Sequence, residues 1–269
     1  MITGIYHNAM NVLDMEKSLR FYVDGVGMKF SHEIKKEDGS PWIVYLSIGN
    51  AESLELFYGG VKDHETPYSE EQIGYHHWCI TCTDLAKLHE RVLKTDTLNP
   101  KDEGKQPSML KNGGKNFWIH DPDGNALEIV QPKPVEEYAG RDELLGIGHW
   151  ALAVQDIPKA VYFYTTKLGF RWERTLNKDG EPWIDYLIVR EEPRQTIELF
   201  HNASKSTPNE WNSAGSPHVC FSCDNVQAMV ELLRERGVPI YIEPKIGADG
   251  KGQAWIRDPE GHRIELMTA

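Results

Sequence analysis

Cysteine is scarce, with four in 269 residues, too few to staple a secreted scaffold of this length. No apolar run approaches the ~20 residues that span a bilayer, and Met1-Ile2-Thr3-Gly4 does not open a signal peptide. Positive charge is also short: 29 Lys and Arg against 41 Asp and Glu leave a net charge of −12, which sets aside nucleic acid and anionic membranes as partners. With 40% hydrophobic and 26% charged residues the composition is ordinary for a globular chain, so disorder and coiled coil drop out. The expectation is a cytoplasmic monomer or homodimer whose partner is a small molecule. At roughly 150 residues per domain, the length suggests two domains.

The chain repeats itself. Asp38-Gly39-Ser40-Pro41-Trp42-Ile43-Val44-Tyr45-Leu46 returns as Asp179-Gly180-Glu181-Pro182-Trp183-Ile184-Asp185-Tyr186-Leu187. Leu54-Glu55-Leu56-Phe57 returns as Ile197-Glu198-Leu199-Phe200, and Asp121-Pro122-Asp123-Gly124 as Asp258-Pro259-Glu260-Gly261. All three recur about 140 residues later, the mark of a duplication. Each half is itself doubled: four segments begin with a histidine on an apolar run and reach Asp or Asn seven residues later. They are His7 to Asp14, His77 to Asp84, His149 to Asp156 and His218 to Asn225. Asp or Asn in that place is an N-cap signal and predicts helices over 15–22, 85–93, 157–164 and 226–236. β-branched and aromatic segments follow, such as 42–48 and 183–189, and predict strands. The expected domains are 1–133, with modules 1–60 and 74–132, and 145–269, with modules 146–202 and 216–269. Pro132-Lys133-Pro134 and the charged run to Glu143 link them.

Each predicted last strand carries one glutamate among apolar residues: Glu55, Glu128, Glu198 and Glu265, lying 47 to 51 residues after the histidine of its module. A strand alternates its faces, so such a residue points to solvent or into a lined cavity. Eight residues at matched positions favour the cavity. Imidazole and carboxylate donors suit Zn, Ni, Co, Mn or Fe(II), and two modules together supply two of each. The quartets could form within a half (His7, Glu55, His77, Glu128) or be exchanged (His7, Glu55, His218, Glu265, with His77, Glu128, His149 and Glu198 at the other site). Of the neighbours His76 and His77, the spacing to Asp84 selects His77 and leaves His76 at the surface or behind the site. Cys79-x-x-Cys82 and Cys220-x-x-Cys223 stand too far apart in sequence for a zinc ribbon and read as core packing.

These residues resemble the glyoxalase/bleomycin resistance/extradiol dioxygenase superfamily, also called vicinal oxygen chelate. The carriers are the four histidines with their helix starts, the Glu55-Leu56 and Ile197-Glu198-Leu199 strands, and the turns Asp121-Pro122-Asp123-Gly124-Asn125-Ala126-Leu127-Glu128 and Asp258-Pro259-Glu260-Gly261-His262-Arg263-Ile264-Glu265. The resemblance covers nearly the whole chain. It implies an α+β fold of four βαβββ modules paired into two glyoxalase-like domains, each curled around a metal.

Within that superfamily the retained His, Glu, His, Glu quartets resemble glyoxalase I. They imply a divalent-metal-dependent lyase or isomerase of the lactoylglutathione lyase type, moving a proton next to a carbonyl through a metal-bound enediolate. By the same resemblance Glu128 and Glu265 are the bases, Trp118 and Trp255 line the substrate pocket, and the substrate is a carbonyl compound or thiol adduct. Asn202 matches a position that contacts glutathione in bacterial relatives, whereas Asn11, Gly59 and Ala153 do not, which points away from glutathione as the thiol. An extradiol ring-cleavage dioxygenase is the alternative within the family. Against it stand the additional carboxylates Glu55 and Glu198, and tryptophan at 118 and 255 where those enzymes carry tyrosine. A small-molecule binding or resistance protein on the same fold is the non-enzymatic alternative.

Overall fold

A computed structural model describes residues 1–58, 74–133, 135–138, 140–201 and 215–268. The expected unit recurs four times as a strand, a helix and three strands. In module 1 the strands are Ile2–Val12, Lys29–Lys35, Pro41–Gly49 and Glu52–Tyr58; in module 2, Gly74–Cys82, Ser108–Met109, Lys115–His120 and Ala126–Gln131. Module 3 has Leu144–Val154, Arg171–Lys178, Glu181–Arg190 and Gln195–His201; module 4 has Gly215–Cys223, Ile240–Ile246, Gly252–Arg257 and Arg263–Thr268.

Asp14, Asp84, Asp156 and Asn225 each cap a helix by accepting the main-chain N–H three residues on. Leu85, Leu88 and Val92 show why the second of these helices holds: spaced at 3 and 4, they form one fully buried stripe. The predicted helices over 15–22 and 157–164 change character partway. Met15–Leu19 continues as wider π-helical turns over Arg20–Val26, and Ile157–Tyr162 over Phe163–Lys167. In the first, Gly27 closes the turn at φ 95°, a conformation that favours glycine. Arg91 of the next module donates to the carbonyls of Gly25 and Val26 at 2.7 and 2.6 Å, serving end groups that the helix itself cannot. In the other half Arg236 does the same for Lys167, at 2.6 Å.

The sheets are not built one from each half. One eight-stranded sheet joins module 1 to module 4, and the other joins module 2 to module 3. At the centre of each, two first strands pair antiparallel; outward come the last, third and second strands of either module. The division at 1–133 and 145–269 therefore follows the duplication, while each sheet takes one module from either side of it. What binds the two modules of one half is the helix layer and the Asp-Pro-x-Gly turn. Tyr22 donates its hydroxyl to Asp121 at 2.9 Å, and Tyr164 to Asp258 at 3.1 Å. Asp121 also accepts from the N–H groups of Asp123 and Asn125, and Asp258 from those of Glu260 and His262. No helix among the described residues is long and apolar enough to cross a membrane.

Candidate metal centres

The ladder places the quartet residues by register alone. In the first sheet His7 lies opposite Cys220 and Ala9 opposite His218 across the central pair. The last strands run parallel to their own first strands and set Glu55 opposite Ala9 and Glu265 opposite Cys220. With period 2, the two histidines and two glutamates share one face and converge over small residues. The second sheet repeats this: His77 opposite Ala151, His149 opposite Cys79, Glu198 opposite Ala151 and Glu128 opposite Cys79. The quartets are thus exchanged between halves; His7 and Glu55 do not meet His77 and Glu128.

The first centre is compact. His7 Nε2 stands 3.1 Å from His218 Nε2, 3.3 Å from Glu55 Oε2 and 3.1 Å from Glu265 Oε2. His218 Nε2 is 3.2 Å from Glu55 Oε2 and 3.4 Å from Glu265 Oε2. Two donors bound at ~2.1 Å and at right angles to one ion lie about 3.0 Å apart, so these spacings fit a divalent cation. All four side chains are buried, and Glu55 Oε2 receives no hydrogen bond, a costly state for a buried oxygen unless a cation faces it. Burial pulls the His218 imidazolium down, but the neighbouring carboxylates of Glu265 and Glu55 outweigh it and hold the group above its ordinary value. Burial raises Glu265, but His218 and His7 more than reverse that and hold it below the carboxylate range. The cluster is a place where positive charge is stabilised.

A cavity of about 370 Å³ opens on this centre, lined by Glu55, His218 and Glu265, by Trp42, Phe57 and Trp255, and also by Lys245 and Arg263. Trp255 sits edge-on to His218 with ring centroids 4.6 Å apart, and Trp118 stands the same way to His77 at 4.6 Å. Asn202 and Gly59 lie outside the described residues. Asn11 is buried on the first strand, and Ala153 is buried beside Phe200 and Ile184.

Tyr45 is a site residue that the sequence reading passed over. It lies opposite Glu55 in the ladder and donates its hydroxyl to Glu55 Oε1; Tyr186 lies opposite Glu198. Their signal was already present, since both belong to the nine-residue repeat that reveals the duplication.

The second centre has the same residues in a looser arrangement. His77 Nε2 is 2.9 Å from His149 Nε2, which is 3.2 Å from Glu128 Oε2, but His77 Nε2 is 4.0 Å from Glu198 Oε2. Two overlapping donor groups result: His77, His149 and Glu198, and Cys79, Glu128 and His149. Asn116 Nδ2 donates to Glu128 Oε1 at 2.7 Å. His76 is not at the surface. It stacks on Phe200 at 4.1 Å, and its Nδ1 lies 2.7 Å from Nδ1 of His77; burial lowers it to about 4, and the charge of His149 adds to this. All four cysteines are free and buried, and burial pushes the Cys79 thiol up to about 11.

The family model described as Glyoxalase/Bleomycin resistance protein/Dioxygenase superfamily matches residues 4–129 and 146–266. The chain is 23% identical to a glyoxalase I of Saccharomyces cerevisiae, over 97% of this chain and 91% of that protein. It is 27% identical to a lactoylglutathione lyase of Arabidopsis thaliana, over 97% and 90%. Among solved structures, glyoxalase I from Zea mays superposes with a TM-score of 0.71 at 20% identity, over 98% of this chain and 92% of that one. The duplicated βαβββ modules, the matched strand registers and these similarities agree: the chain belongs to the Glyoxalase/Bleomycin resistance protein/Dioxygenase superfamily, as a tandem, two-domain glyoxalase I-like member.

Proposed function

We propose that the protein is a divalent-metal-dependent lyase or isomerase of the glyoxalase I type, acting on a small carbonyl compound or its thiol adduct. One observation carries this reading: four buried donors, His7, Glu55, His218 and Glu265, with five separations of 3.1 to 3.4 Å, the last three of them lining a cavity of about 370 Å³. The chemistry that a bound Zn, Ni, Co, Mn or Fe(II) ion supplies is Lewis-acid polarisation of a carbonyl oxygen, which acidifies the adjacent C–H.

The side chains divide the remaining work. Tyr45 fixes Glu55 through Oε1 and keeps it in place as a ligand. Glu265 has Trp255 as its ladder partner on the third strand where Glu55 has Tyr45. It is the carboxylate that takes the proton from the carbon beside the carbonyl and returns it to the neighbouring carbon. Trp255, Trp42 and Phe57 give the cavity an apolar wall that keeps bulk water from the reacting carbons. At the second centre the corresponding glutamate, Glu128, is tethered by Asn116, so the first centre is the stronger candidate for turnover.

Chelator-treated protein tests this reading. With an α-oxoaldehyde and a small thiol it should be inactive, and Zn, Ni, Co or Mn should restore turnover. Glu265→Gln removes the base while keeping the size, and removal of a positioned base costs about 10²–10⁴-fold in kcat. Metal-independent turnover, or wild-type kcat in Glu265→Gln, would sink the proposal.

A further inference from the structure

The residue two places after each first-strand histidine is small: Ala9 and Ala151 in modules 1 and 3, Cys79 and Cys220 in modules 2 and 4. All four are buried, on the same face as the donors above them. In the first centre the sulfur stays outside the donor set. Among the described residues the donor cluster there is His7, Glu55, His218 and Glu265; Cys220 Sγ contacts the Phe221 carbonyl at 3.9 Å and the Met267 sulfur at 4.0 Å, and of these Cys79 shares the carbonyl contact, to Ile80 at 3.4 Å.

In the second centre the sulfur is inside the set. A Cys79 sulfur, a Glu128 oxygen and a His149 nitrogen lie within 4.8 Å of one another. Glu128 flanks Cys79 on one side and His149 on the other, as Glu265 and His7 flank Cys220, so side-chain placement and not register separates the two centres. Asn116 holds Glu128 from the third strand. Gln253, its counterpart two residues before Trp255, lines the cavity of the first centre. The longer 4.0 Å gap between His77 and Glu198 leaves His149 shared between the two donor groups.

We propose that the second centre is a mixed nitrogen, oxygen and sulfur site in which Cys79, with Glu128 and His149, binds a thiophilic divalent metal such as zinc, while the first centre binds through nitrogen and oxygen alone. This inference rests on reading the two clusters as metal centres. Thiolate sulfur selects softer ions than carboxylate does. Binding replaces the S–H proton by the metal, so one proton leaves to solvent for each sulfur–metal bond formed.

Cobalt(II) and cadmium(II) titrations of the full-length, chelator-treated protein test it. Loading should produce a near-ultraviolet sulfur-to-metal charge-transfer band. Cys79→Ser should abolish that band, and Cys220→Ser should retain it. If Cys79→Ser does not fold, a chain with Cys82, Cys220 and Cys223 replaced, leaving Cys79 as its one thiol, should keep the band. Metal loading with no sulfur band, or a band that survives Cys79→Ser, overturns this inference and leaves the metal reading standing. Failure to bind any ion overturns both.

Discussion

Glu52 and Gln195 hold the two sheets together by the same contact in opposite directions. Glu52 Oε2 accepts the main-chain N–H of Ile147 at 2.5 Å, and Gln195 Oε1 accepts that of Ile5 at 2.6 Å. Each stands three residues before a ligand-position glutamate, Glu55 or Glu198, so the contact obeys the internal duplication. Gln195 also donates to the Ile5 carbonyl at 3.1 Å. At Glu52 the second oxygen instead faces Arg190, which donates to Oε1 at 2.6 Å.

The first prediction concerns this pair. Burial raises Glu52 from its ordinary 4.5 to about 7, against the opposing pull of Ile147 and Arg190. The folded chain therefore holds a proton that the unfolded chain releases above 4.5, and its stability falls as pH rises from there through 7. At 1.36 kcal/mol per unit, ionisation costs about 3 kcal/mol. Glu52→Gln removes that dependence. Urea unfolding at about pH 5 and pH 8 should show the variant gaining on the wild type by up to this amount. Parallel stabilities at both values would contradict it.

Tyr45 supplies the second. Its hydroxyl fixes the orientation of Glu55, and hydrogen bonds behind a ligand typically contribute 10- to 100-fold in metal affinity. Tyr45→Phe keeps the ring that stacks on His32 at 4.5 Å and loses only the donor. Metal affinity at the first centre should fall by about that factor while thermal stability changes little. Competition with a chromophoric chelator measures the first, and calorimetry the second.

Local rules made much of this architecture legible. The duplication, the four helix caps and the matching of each histidine with a glutamate all follow from patterns that recur at fixed spacing. The exchange of modules between sheets does not. Each first strand offers the same ladder edge to any other, and what selects module 4 for module 1 is contact over more than 200 residues, such as His7 with His218. Of the two places open to His76 the one behind the site is observed, and no local pattern selects it, because its stacking partner Phe200 comes from module 3. Tyr45 was visible in the repeat, yet nothing local said that its hydroxyl reaches a ligand-position carboxylate.

The third prediction is weak dependence on glutathione. Ala153 is buried with a methyl side chain in a small apolar cluster and Asn11 is a neutral amide, so neither can form an ion pair with a peptide carboxylate. The hemithioacetal of methylglyoxal should be processed with other small thiols at a kcat/KM within about tenfold of the glutathione adduct, a gap of under 1.4 kcal/mol in transition-state binding. A preference for glutathione of several hundredfold would refute the inference and leave the metal centre untouched.

The last prediction separates proton transfer from oxygen chemistry. Proton transfer next to a carbonyl requires no change in metal oxidation state, so redox-inert zinc should support turnover as well as cobalt or nickel does, and exclusion of oxygen should not slow it. In the proposed reaction the carboxylate of Glu265 would hold the abstracted proton beside the cavity, where solvent can exchange it before its return. Reaction in deuterium oxide should then place deuterium on the carbon that receives the proton, in a fraction set by how fast exchange competes with return. Glu265→Gln should lose turnover and label together, because one group performs both transfers. Substrate positioning by Trp255 predicts a different signature: Trp255→Ala should raise KM more than it lowers kcat, since an apolar wall contributes mainly uniform binding. Ring cleavage of a catechol with one dioxygen consumed per turnover would overturn the proton-transfer reading, whatever metal the protein carried.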